Sequence, residues 1–248
     1  MSDEDIRFLD VGVTAFGLYA SDYEFNASNL VLAALPDIIP LPGGRTHLRI
    51  LKYPEISVTF ESVSAAVTEI WNTPSAKWAT NLAELNSENT ECRKPWKTLC
   101  QPDIVLHIGQ MRSFAGYSFE KLANRDGYVR KDLDNKIPET SPHPQEKGKW
   151  VERKFASNDE ILYPAIDIDE VAAKVKAALP DALIRASIDA GRFVCEYTFY
   201  SSLAELEIRG QKTKQALFLH VPAKASPEDI KRGVTVVKAY LAAVLGEL

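Results

Sequence analysis

The stretch Leu183-Ile-Arg-Ala-Ser-Ile188-Asp-Ala-Gly191-Arg-Phe-Val-Cys195-Glu-Tyr-Thr-Phe-Tyr200 places a short β-rich run directly before a helical one. We predict a strand over Leu183 to Ile188 and a helix over Phe193 to Leu206. Ala190-Gly191 permits a tight turn between them, because glycine adopts backbone angles that other residues avoid. The stretch therefore predicts one strand-turn-helix unit.

The same alternation continues on both sides of this unit. Ser226-Pro227-Glu228-Asp229 marks the start of the last helix, because it combines a cap, a proline in the first turn and two acids at the positive end of the helix dipole. Asn26 or Ser28 is a suitable N-cap for the first helix. The other predicted strands are Ile6 to Phe16, Leu48 to Tyr53, Ile56 to Phe60, Ile104 to Ile108 and Ala216 to Val221, and the other predicted helices are Glu61 to Trp71, Trp78 to Leu85, Ile168 to Leu179 and Pro227 to Leu245. Alternating strands and helices predict an α/β fold around a mostly parallel sheet.

Length and composition indicate a globular chain. The 248 residues are 46% hydrophobic and 25% charged, which suffices for a large core. We expect a single domain over residues 1–248. The polar, proline-bearing segment at 131–160 is the one long interruption of the pattern, and we interpret it as a surface loop that forms a flap over the sheet.

Charge and cysteine content exclude several classes of partner and site. The formal net charge is -5 without a basic block, which argues against a nucleic-acid partner. The acidic start and the lack of an apolar run of membrane length predict a cytoplasmic protein without a membrane helix. Cys92, Cys100 and Cys195 show no CxxC spacing, so we expect free thiols and neither a disulfide framework nor a metal site.

Three chemically active side chains follow or end predicted strands, namely His107, Cys195 and His220. Ligand crevices in open α/β sheets lie at the carboxyl ends of strands, so we expect these residues to gather on one rim. Cys195 falls in the first turn of its helix, where N-H groups and the helix dipole favour a thiolate and can hold an oxyanion. Either histidine could serve as its base. The plainer interpretation is a buried free cysteine with hydrogen-bonded core histidines.

A thiol and an imidazole also need an acid that orients the imidazole. The segment Tyr117-Ser-Phe-Glu120-Lys-Leu-Ala123 places Glu120 between apolar neighbours after the His107 strand. Spacing alone does not distinguish Glu120 from an ordinary salt-bridged surface residue.

Three sequence blocks carry a family resemblance. Asp189-Ala-Gly-Arg-Phe-Val-Cys195-Glu resembles the pattern Ala-Gly-x-(Tyr/Phe)-(Val/Leu)-Cys-Asn, and Phe218-Leu-His220-Val-Pro222 matches (Phe/Ile)-x-His-Val-Pro. Pro102-Asp-Ile-Val-Leu-His107-Ile-Gly109 with Ser118-Phe-Glu120-Lys resembles Pro-Asp-x-x-x-His-x-Gly followed by Ser-(Leu/Ile)-Glu-Arg. In this order the blocks resemble the pyroglutamyl peptidase type I family of cysteine peptidases, from about Val11 to Leu245.

The resemblance implies both an architecture and an activity. The family has a three-layer α/β/α fold similar to that of phosphorylases. Its members are cysteine omega-peptidases that remove N-terminal pyroglutamate, or 5-oxoproline, from peptides. Carried onto this sequence, the motifs imply Cys195 as nucleophile, His220 as base and Glu120 as orienting acid, with His107 as a structural residue.

The resemblance also implies how substrate is held. Val13-Thr-Ala-Phe16 is similar to a family loop whose aromatic residues pack on the pyroglutamate ring, which implies Phe16 and Tyr19 as substrate-binding residues. Arg130 falls where the family has an arginine near the oxyanion. The resemblance implies pyroglutamylated peptides as partners, no metal or organic cofactor, and a homo-oligomer, since family members often form dimers or tetramers.

Several positions depart from the family pattern. Ala15 replaces a glycine, and the loops at Leu18-Tyr19-Ala20-Ser21 and Ser113-Phe114 are altered where the pocket is expected. Glu196 replaces the asparagine after the cysteine, and a carboxylate beside the sulfur would oppose thiolate formation by like-charge repulsion. The sequence leaves open which way Glu196 faces. The alternatives are therefore a relative with altered specificity or a non-catalytic peptide-binding or regulatory protein. A nucleoside- or phosphate-handling protein is a weaker third, since a glycine-rich phosphate loop is missing.

Overall fold

A seven-stranded mixed sheet forms the centre of the computed structural model, which describes residues 6–19, 24–82, 101–138, 160–212 and 214–248. Its strands are β1 (Arg7–Thr14), β2 (Ile38–Pro40), β3 (Thr46–Lys52), β4 (Ile104–Met111), β5 (Tyr117–Glu120), β8 (Ile184–Ser187) and β9 (Gln215–Pro222). Two further strands, β6 (Ala123–Asn124) and β7 (Ile161–Leu162), form a small antiparallel ribbon.

The strand order is β2-β3-β1-β4-β9-β5-β8. The four central strands β3, β1, β4 and β9 are parallel to one another. The edge strand β2 runs antiparallel to β3, and the pair of β5 and β8 runs antiparallel to β9. The predicted α/β fold with a mostly parallel sheet is confirmed.

Helices cover both faces of this sheet. They are α1 (Ala27–Ala34), α2 (Phe60–Asn72), α3 (Ile168–Ala178), α4 (Val194–Ile208) and α5 (Pro227–Val244). Residues of α1, α3 and α5 pack into one apolar cluster with one face of the sheet, and residues of α2 and α4 pack into a second cluster on the other face. The three-layer arrangement is therefore confirmed. Among the described residues, none of the helices is long and apolar enough to cross a membrane.

Helix α4 is buried along almost its whole length, including polar positions. It packs between the sheet, α2 and the β6-β7 ribbon. Its hydroxyl groups take part in that packing, because Ser202 accepts a hydrogen bond of 2.8 Å from the indole N-H of Trp71 on α2. A helix enclosed in this way holds its first turn in a fixed place, and that turn carries Cys195.

The predicted helix starts agree with the observed caps. The Asn26 side chain accepts a hydrogen bond from the Ser28 N-H at the start of α1. The Ser226 side chain accepts one from the Asp229 N-H at the start of α5, with Pro227 as the first helical residue. Capping of this kind satisfies N-H groups that lack a partner within the helix.

One predicted strand, Ile56 to Phe60, is wrong. Thr59 caps α2 instead, since its hydroxyl accepts a hydrogen bond of 3.1 Å from the Ser62 N-H, and Phe60 is the first helical residue. Ile56 forms only an isolated bridge with Phe16, and β1 itself ends at Thr14. A polar cap therefore outweighs the β propensity of the apolar run.

The predicted helix Trp78 to Leu85 is wrong at its start. Trp78 follows a single 3-10 turn, Ser75–Lys77, and the next residues are tied to β3. The Asn81 side chain donates to the Ile50 carbonyl and accepts from the Lys52 N-H, so it extends the sheet edge rather than a helix. Residues 83–85 lie outside the described part. The short strands β2, β5, β6 and β7 were not predicted.

Only the first part of the predicted loop at 131–160 is described, and the flap prediction for 139–159 lies outside the described residues. The Asp132 carboxylate accepts hydrogen bonds from the N-H groups of Phe60, Asp134 and Lys136, each 2.9 Å long. The start of the loop is therefore fixed to the start of α2. Cys92 and Cys100 also lie outside the described residues.

Candidate active site

Cys195 is the second residue of α4 and is partly exposed. The preceding turn has Gly191 at a φ of 97° and Arg192 at a φ of 44°, and Phe193 is the N-cap. The expected meeting of Cys195 with His220 is confirmed, because the two side chains share a hydrogen bond. Since β8 runs antiparallel to β9, the thiol reaches His220 through the turn at 189–193. His107 does not join them, because β4 continues to Met111 and His107 lies within the strand rather than at its end.

His220 lies between an acid and the thiol. Its Nδ1 is 2.8 Å from Glu120 Oε1, and the ring also hydrogen-bonds the Cys195 side chain. Burial lowers the pKa of His220, but the hydrogen bonds and negative charges of Cys195 and Glu120 raise it more, to about 9. Glu120 is fully buried at the end of β5. The arrangement favours an imidazolium that can hold a thiolate on one side and a carboxylate on the other.

His107 has a different environment. It is fully buried, and its Nδ1 lies 2.8 Å from the Thr14 hydroxyl of the neighbouring strand. Burial lowers the pKa of His107 to about 3, so the ring is neutral at physiological pH. These contacts fit a residue that links β1 to β4 rather than a base for Cys195.

A cavity of about 210 Å³ opens onto the Cys195 side chain. This volume is below the roughly 300–1,000 Å³ of pockets for drug-sized ligands, so the cavity suits a small chemical group. The predicted substrate residues Phe16, Tyr19 and Arg130 all line it. The other lining residues are Phe25, Asn26, Val58, Gln110, Arg112 and Phe193.

Aromatic rings shape the mouth of this cavity. The rings of Tyr19 and Phe193 meet edge to face, with centroids 5.3 Å apart. The Arg130 guanidinium carbon lies 4.7 Å from the centroid of the Tyr19 ring and 4.4 Å from that of the Phe193 ring. Cation-π contacts of this kind orient a guanidinium without neutralising it. Arg130 is thus a positive group fixed at the entrance to the cavity that holds Cys195.

Two side chains of the α1 start hold the loop that carries Phe16. The Asn26 amide donates to the Gly17 carbonyl at 2.8 Å, and the Ser28 hydroxyl accepts from the Phe16 N-H at 3.3 Å. Sequence reasoning identified Asn26 as a cap but not as part of the cavity. Gln110 and Arg112 come directly after the predicted His107 strand, and this position in the sequence could have identified them as cavity residues. The sequence around Val58 gives no such indication.

Glu196 is completely buried, and its carboxylate is paired with Asn124 and Arg192. Its Oε1 accepts hydrogen bonds from the backbone N-H and the amide of Asn124, at 2.9 and 2.7 Å. Its Oε2 accepts one of 2.6 Å from the Arg192 N-H. The question that the sequence left open is therefore answered, since both carboxylate oxygens are engaged by Asn124 and Arg192.

Gly109 is required by close packing at the thiol. It lies opposite His220 in the β4-β9 ladder, and a Cβ at this position would be 3.0 Å from both Cys195 Sγ and the Phe218 ring. We expect Gly109→Ala to slow the reaction of the Cys195 thiol with iodoacetamide at least about 10-fold, because displacing the sulfur spoils its alignment with His220, and to destabilise the protein by about 1–3 kcal/mol.

Gly12→Ala in β1 is the matched control for this variant. Its Cβ would meet the Pro102 and Trp78 side chains at 3.2 Å rather than the thiol, so this variant should lower stability without slowing the reaction of Cys195. Thermal unfolding and the rate of alkylation at Cys195 provide the comparison. Equal alkylation rates for the two variants would contradict the role assigned to Gly109.

Within the described segments, no group of three His, Cys, Asp or Glu side chains is placed to hold a metal ion.

Comparisons with known proteins identify similar chains. The family model for pyroglutamyl peptidase matches residues 92–237. Pyroglutamyl-peptidase 1 of Rattus norvegicus is 31% identical over 147 residues, which cover 59% of this chain and 62% of the rat protein. The Homo sapiens protein of the same name is 32% identical over 126 residues, or 51% of this chain and 52% of the human one. The matches thus span about half to three fifths of these relatives.

Solved structures extend the likeness to almost the whole chain. A mutant pyrrolidone carboxyl peptidase from Pyrococcus furiosus superposes with a TM-score of 0.64 at 18% identity, covering 97% of this chain and 100% of that one. Pyroglutamyl peptidase I from Bacillus amyloliquefaciens gives a TM-score of 0.57 at 16% identity, covering 95% and 92%. At this level of identity the likeness concerns the fold.

Proposed function

Because this chain belongs to the pyroglutamyl peptidase family, we propose that it removes N-terminal pyroglutamate from peptides as a cysteine peptidase. The observation that carries the proposal is a hydrogen-bonded series that runs from the buried Glu120 and His220 to the partly exposed Cys195 at an aromatic cavity. A nucleophile, a base and an orienting acid in this order are the parts needed for acyl transfer.

The proposed reaction has two stages. The Cys195 thiolate attacks the carbonyl carbon that joins pyroglutamate to the next residue and forms a tetrahedral oxyanion. The C-N bond then breaks, the His220 imidazolium gives its proton to the departing amine, and an acyl thioester remains on Cys195. Water, deprotonated by His220, attacks the thioester, and pyroglutamate leaves as the thiol is restored.

The cavity accounts for the proposed selectivity for a pyroglutamyl group. Pyroglutamate is a small lactam without a charged amine, so an apolar wall with a few hydrogen-bonding groups suits it. Phe16 and Tyr19 supply the wall, and the N-H groups at the start of α4, with Arg130 at the mouth, supply positive potential for the oxyanion. A free thiol is kept reduced in the cytosol, which favours that compartment for the protein.

The alternative of a non-catalytic relative rested on Glu196 and on the altered loops. The contacts of Glu196 with Asn124 and Arg192 remove the first reason, because a carboxylate engaged by four donor contacts is not an unpaired charge beside the sulfur. The second reason, the altered loops where the pocket is expected, bears on which substrate is bound and not on whether the thiol reacts. Catalysis is therefore the function that the site supports best.

The test is hydrolysis of three fluorogenic amides by the purified protein: pyroglutamyl, prolyl and glutaminyl. The prolyl amide keeps the ring but lacks the lactam oxygen, and the glutaminyl amide is the open-chain form. We expect kcat/KM for the pyroglutamyl amide to exceed both others by at least about 10³-fold, since a polar site rejects a group that leaves its donors unpaired. Comparable rates for the prolyl and pyroglutamyl amides, or no turnover by folded protein, would overturn the proposal.

A further inference from the structure

The helix that carries Cys195 lacks an ordinary N-terminal cap. Most helices begin with Ser, Thr, Asp or Asn, whose side chain accepts a hydrogen bond from the second or third helical N-H. In α4 those positions are Cys195 and Glu196, and the N-cap is Phe193, whose side chain has no acceptor. These N-H groups are therefore not occupied by a cap, which suits an oxyanion-binding site. The start of the helix must then be fixed by something else.

Glu196 supplies that restraint from inside the helix. As the third helical residue it reaches back, and its Oε2 accepts a hydrogen bond of 2.6 Å from the Arg192 N-H. In a capping box a glutamate at this position binds the N-H of the N-cap; here the bond goes to the residue before the N-cap, so Glu196 holds the turn that leads into the helix. Its Oε1 is held by the Asn124 backbone and amide, so the turn before Cys195 is connected to β6.

The turn that Glu196 holds has an unfavourable backbone conformation. Gly191 and Arg192 both have positive φ, and Arg192 is a residue with a side chain that rarely adopts this region. Two contacts secure Arg192 besides the backbone bond. Its Nε lies 3.3 Å from Glu196 Oε1, and its Nη1 donates to the Asp126 carbonyl at 2.7 Å. Such conformations persist where surrounding contacts enforce them.

We propose that Glu196 is a positioning residue, which fixes the turn at 191–193 and so keeps the helix-start N-H groups of α4 directed at the reacting carbonyl while leaving them unoccupied. This inference rests on the proposed function for the identity of the oxyanion. It assigns to the glutamate that departs from the family pattern a supporting role rather than an inhibitory one.

The two roles for Glu196 predict opposite effects of Glu196→Gln. Glutamine keeps the shape, but its NH₂ group faces the Arg192 N-H or the Asn124 donors, so one side of the network must open. We expect kcat for the pyroglutamyl amide to fall about 100-fold, as for a misplacement of about 1 Å, with KM changed less than about threefold. A carboxylate that repelled the thiolate would instead be relieved by this change, so an unchanged or higher kcat overturns the proposal.

Glu205→Gln is the matched control on the same helix. Glu205 is also buried, but its carboxylate binds Arg209 in the last turn, 2.9 Å from Nη2, away from the thiol. The Glu205→Gln variant should have a lower melting temperature than the unmutated protein but the same kcat. If Glu196→Gln loses no more kcat than Glu205→Gln, Glu196 is only a stabilising residue and the proposal is wrong.

A second readout is independent of the substrate. The rate of iodoacetamide reaction at Cys195, measured near pH 7 by mass spectrometry, should fall at least about threefold in Glu196→Gln, because a displaced helix start no longer favours the thiolate. This holds even if pyroglutamyl amides are not cleaved. Asn124→Ala, a milder variant in case Glu196→Gln does not fold, should slow the same reaction less, and a faster reaction in either variant overturns the proposal.

Discussion

Replacing Cys195 with serine is expected to lower kcat/KM for a pyroglutamyl amide by about 10⁴-fold or more, on the scale of nucleophile replacements in other hydrolases. The physical reason lies in the environment of the sulfur. His220, with its pKa raised to about 9, is an imidazolium at neutral pH and stabilises a thiolate. A serine hydroxyl is far less acidic, so the charged histidine cannot also act as the base that activates it.

The variant should otherwise keep the native structure, because serine is smaller than cysteine and the cavity already opens onto this position. Circular dichroism and thermal unfolding establish that point. Cys92→Ser and Cys100→Ser are the controls, because they make the same substitution at the other two cysteines; if Cys195 is the nucleophile, both should keep activity within about twofold. Residual activity of Cys195→Ser within about 10-fold of the unmutated protein would contradict its assignment as nucleophile.

Replacing Glu120 with glutamine is expected to lower kcat by up to about 10⁴-fold, the size found when an orienting acid becomes an amide. Glu120 Oε1 lies 2.8 Å from His220 Nδ1 and so fixes which ring nitrogen carries a proton. An amide that turns its NH₂ toward Nδ1 selects the other tautomer. The nitrogen that faces Cys195 then holds a proton and cannot accept one from the thiol.

The same variant should change the pH dependence of kcat/KM. Glu120 is one of the groups that raise the pKa of His220, so its removal lowers that pKa. The unmutated protein should lose activity as pH rises through about 9, where the imidazolium needed by the leaving amine is lost. In Glu120→Gln this alkaline loss should begin at a lower pH.

Tyr240→Phe provides the control for local packing. Tyr240 stacks on Phe119, next to Glu120, with ring centroids 4.1 Å apart, and removing its hydroxyl leaves that stack intact. This variant should keep the alkaline limit of the unmutated protein. The measurement is kcat/KM from pH 5 to 10 for the unmutated protein, Glu120→Gln and Tyr240→Phe. An alkaline limit that does not shift in Glu120→Gln would show that Glu120 does not act through His220.

The sequence predicted several helices because each combines a hydrophobic period with a cap. Helices α1 and α5 are examples, since Asn26 and Ser226 cap them as expected. The failures are short segments decided by tertiary contacts. Asn81 bonds β3 rather than continuing a helix, and strand β5, only four residues long, exists because β8 and β9 flank it.

The chemical residues were found in sequence more readily than the geometry that joins them. Local pattern identifies Cys195 as a helix-start thiol and His220 as a strand-end histidine. It does not reveal that β8 runs antiparallel to β9, or that Glu196 bonds Asn124, 72 positions away. Such contacts depend on the register of distant strands, which no local period encodes.

The separation in sequence between interacting residues has a consequence for how the chain gains activity as it folds. Glu120 and His220 are 100 positions apart, and Trp71 reaches Ser202 across 131. Contacts between residues so far apart in sequence slow folding, because closing a long loop costs chain entropy before the contact can stabilise the fold. Refolding experiments should therefore show helical circular dichroism returning before hydrolysis, since the reacting groups meet only when the central strands have paired.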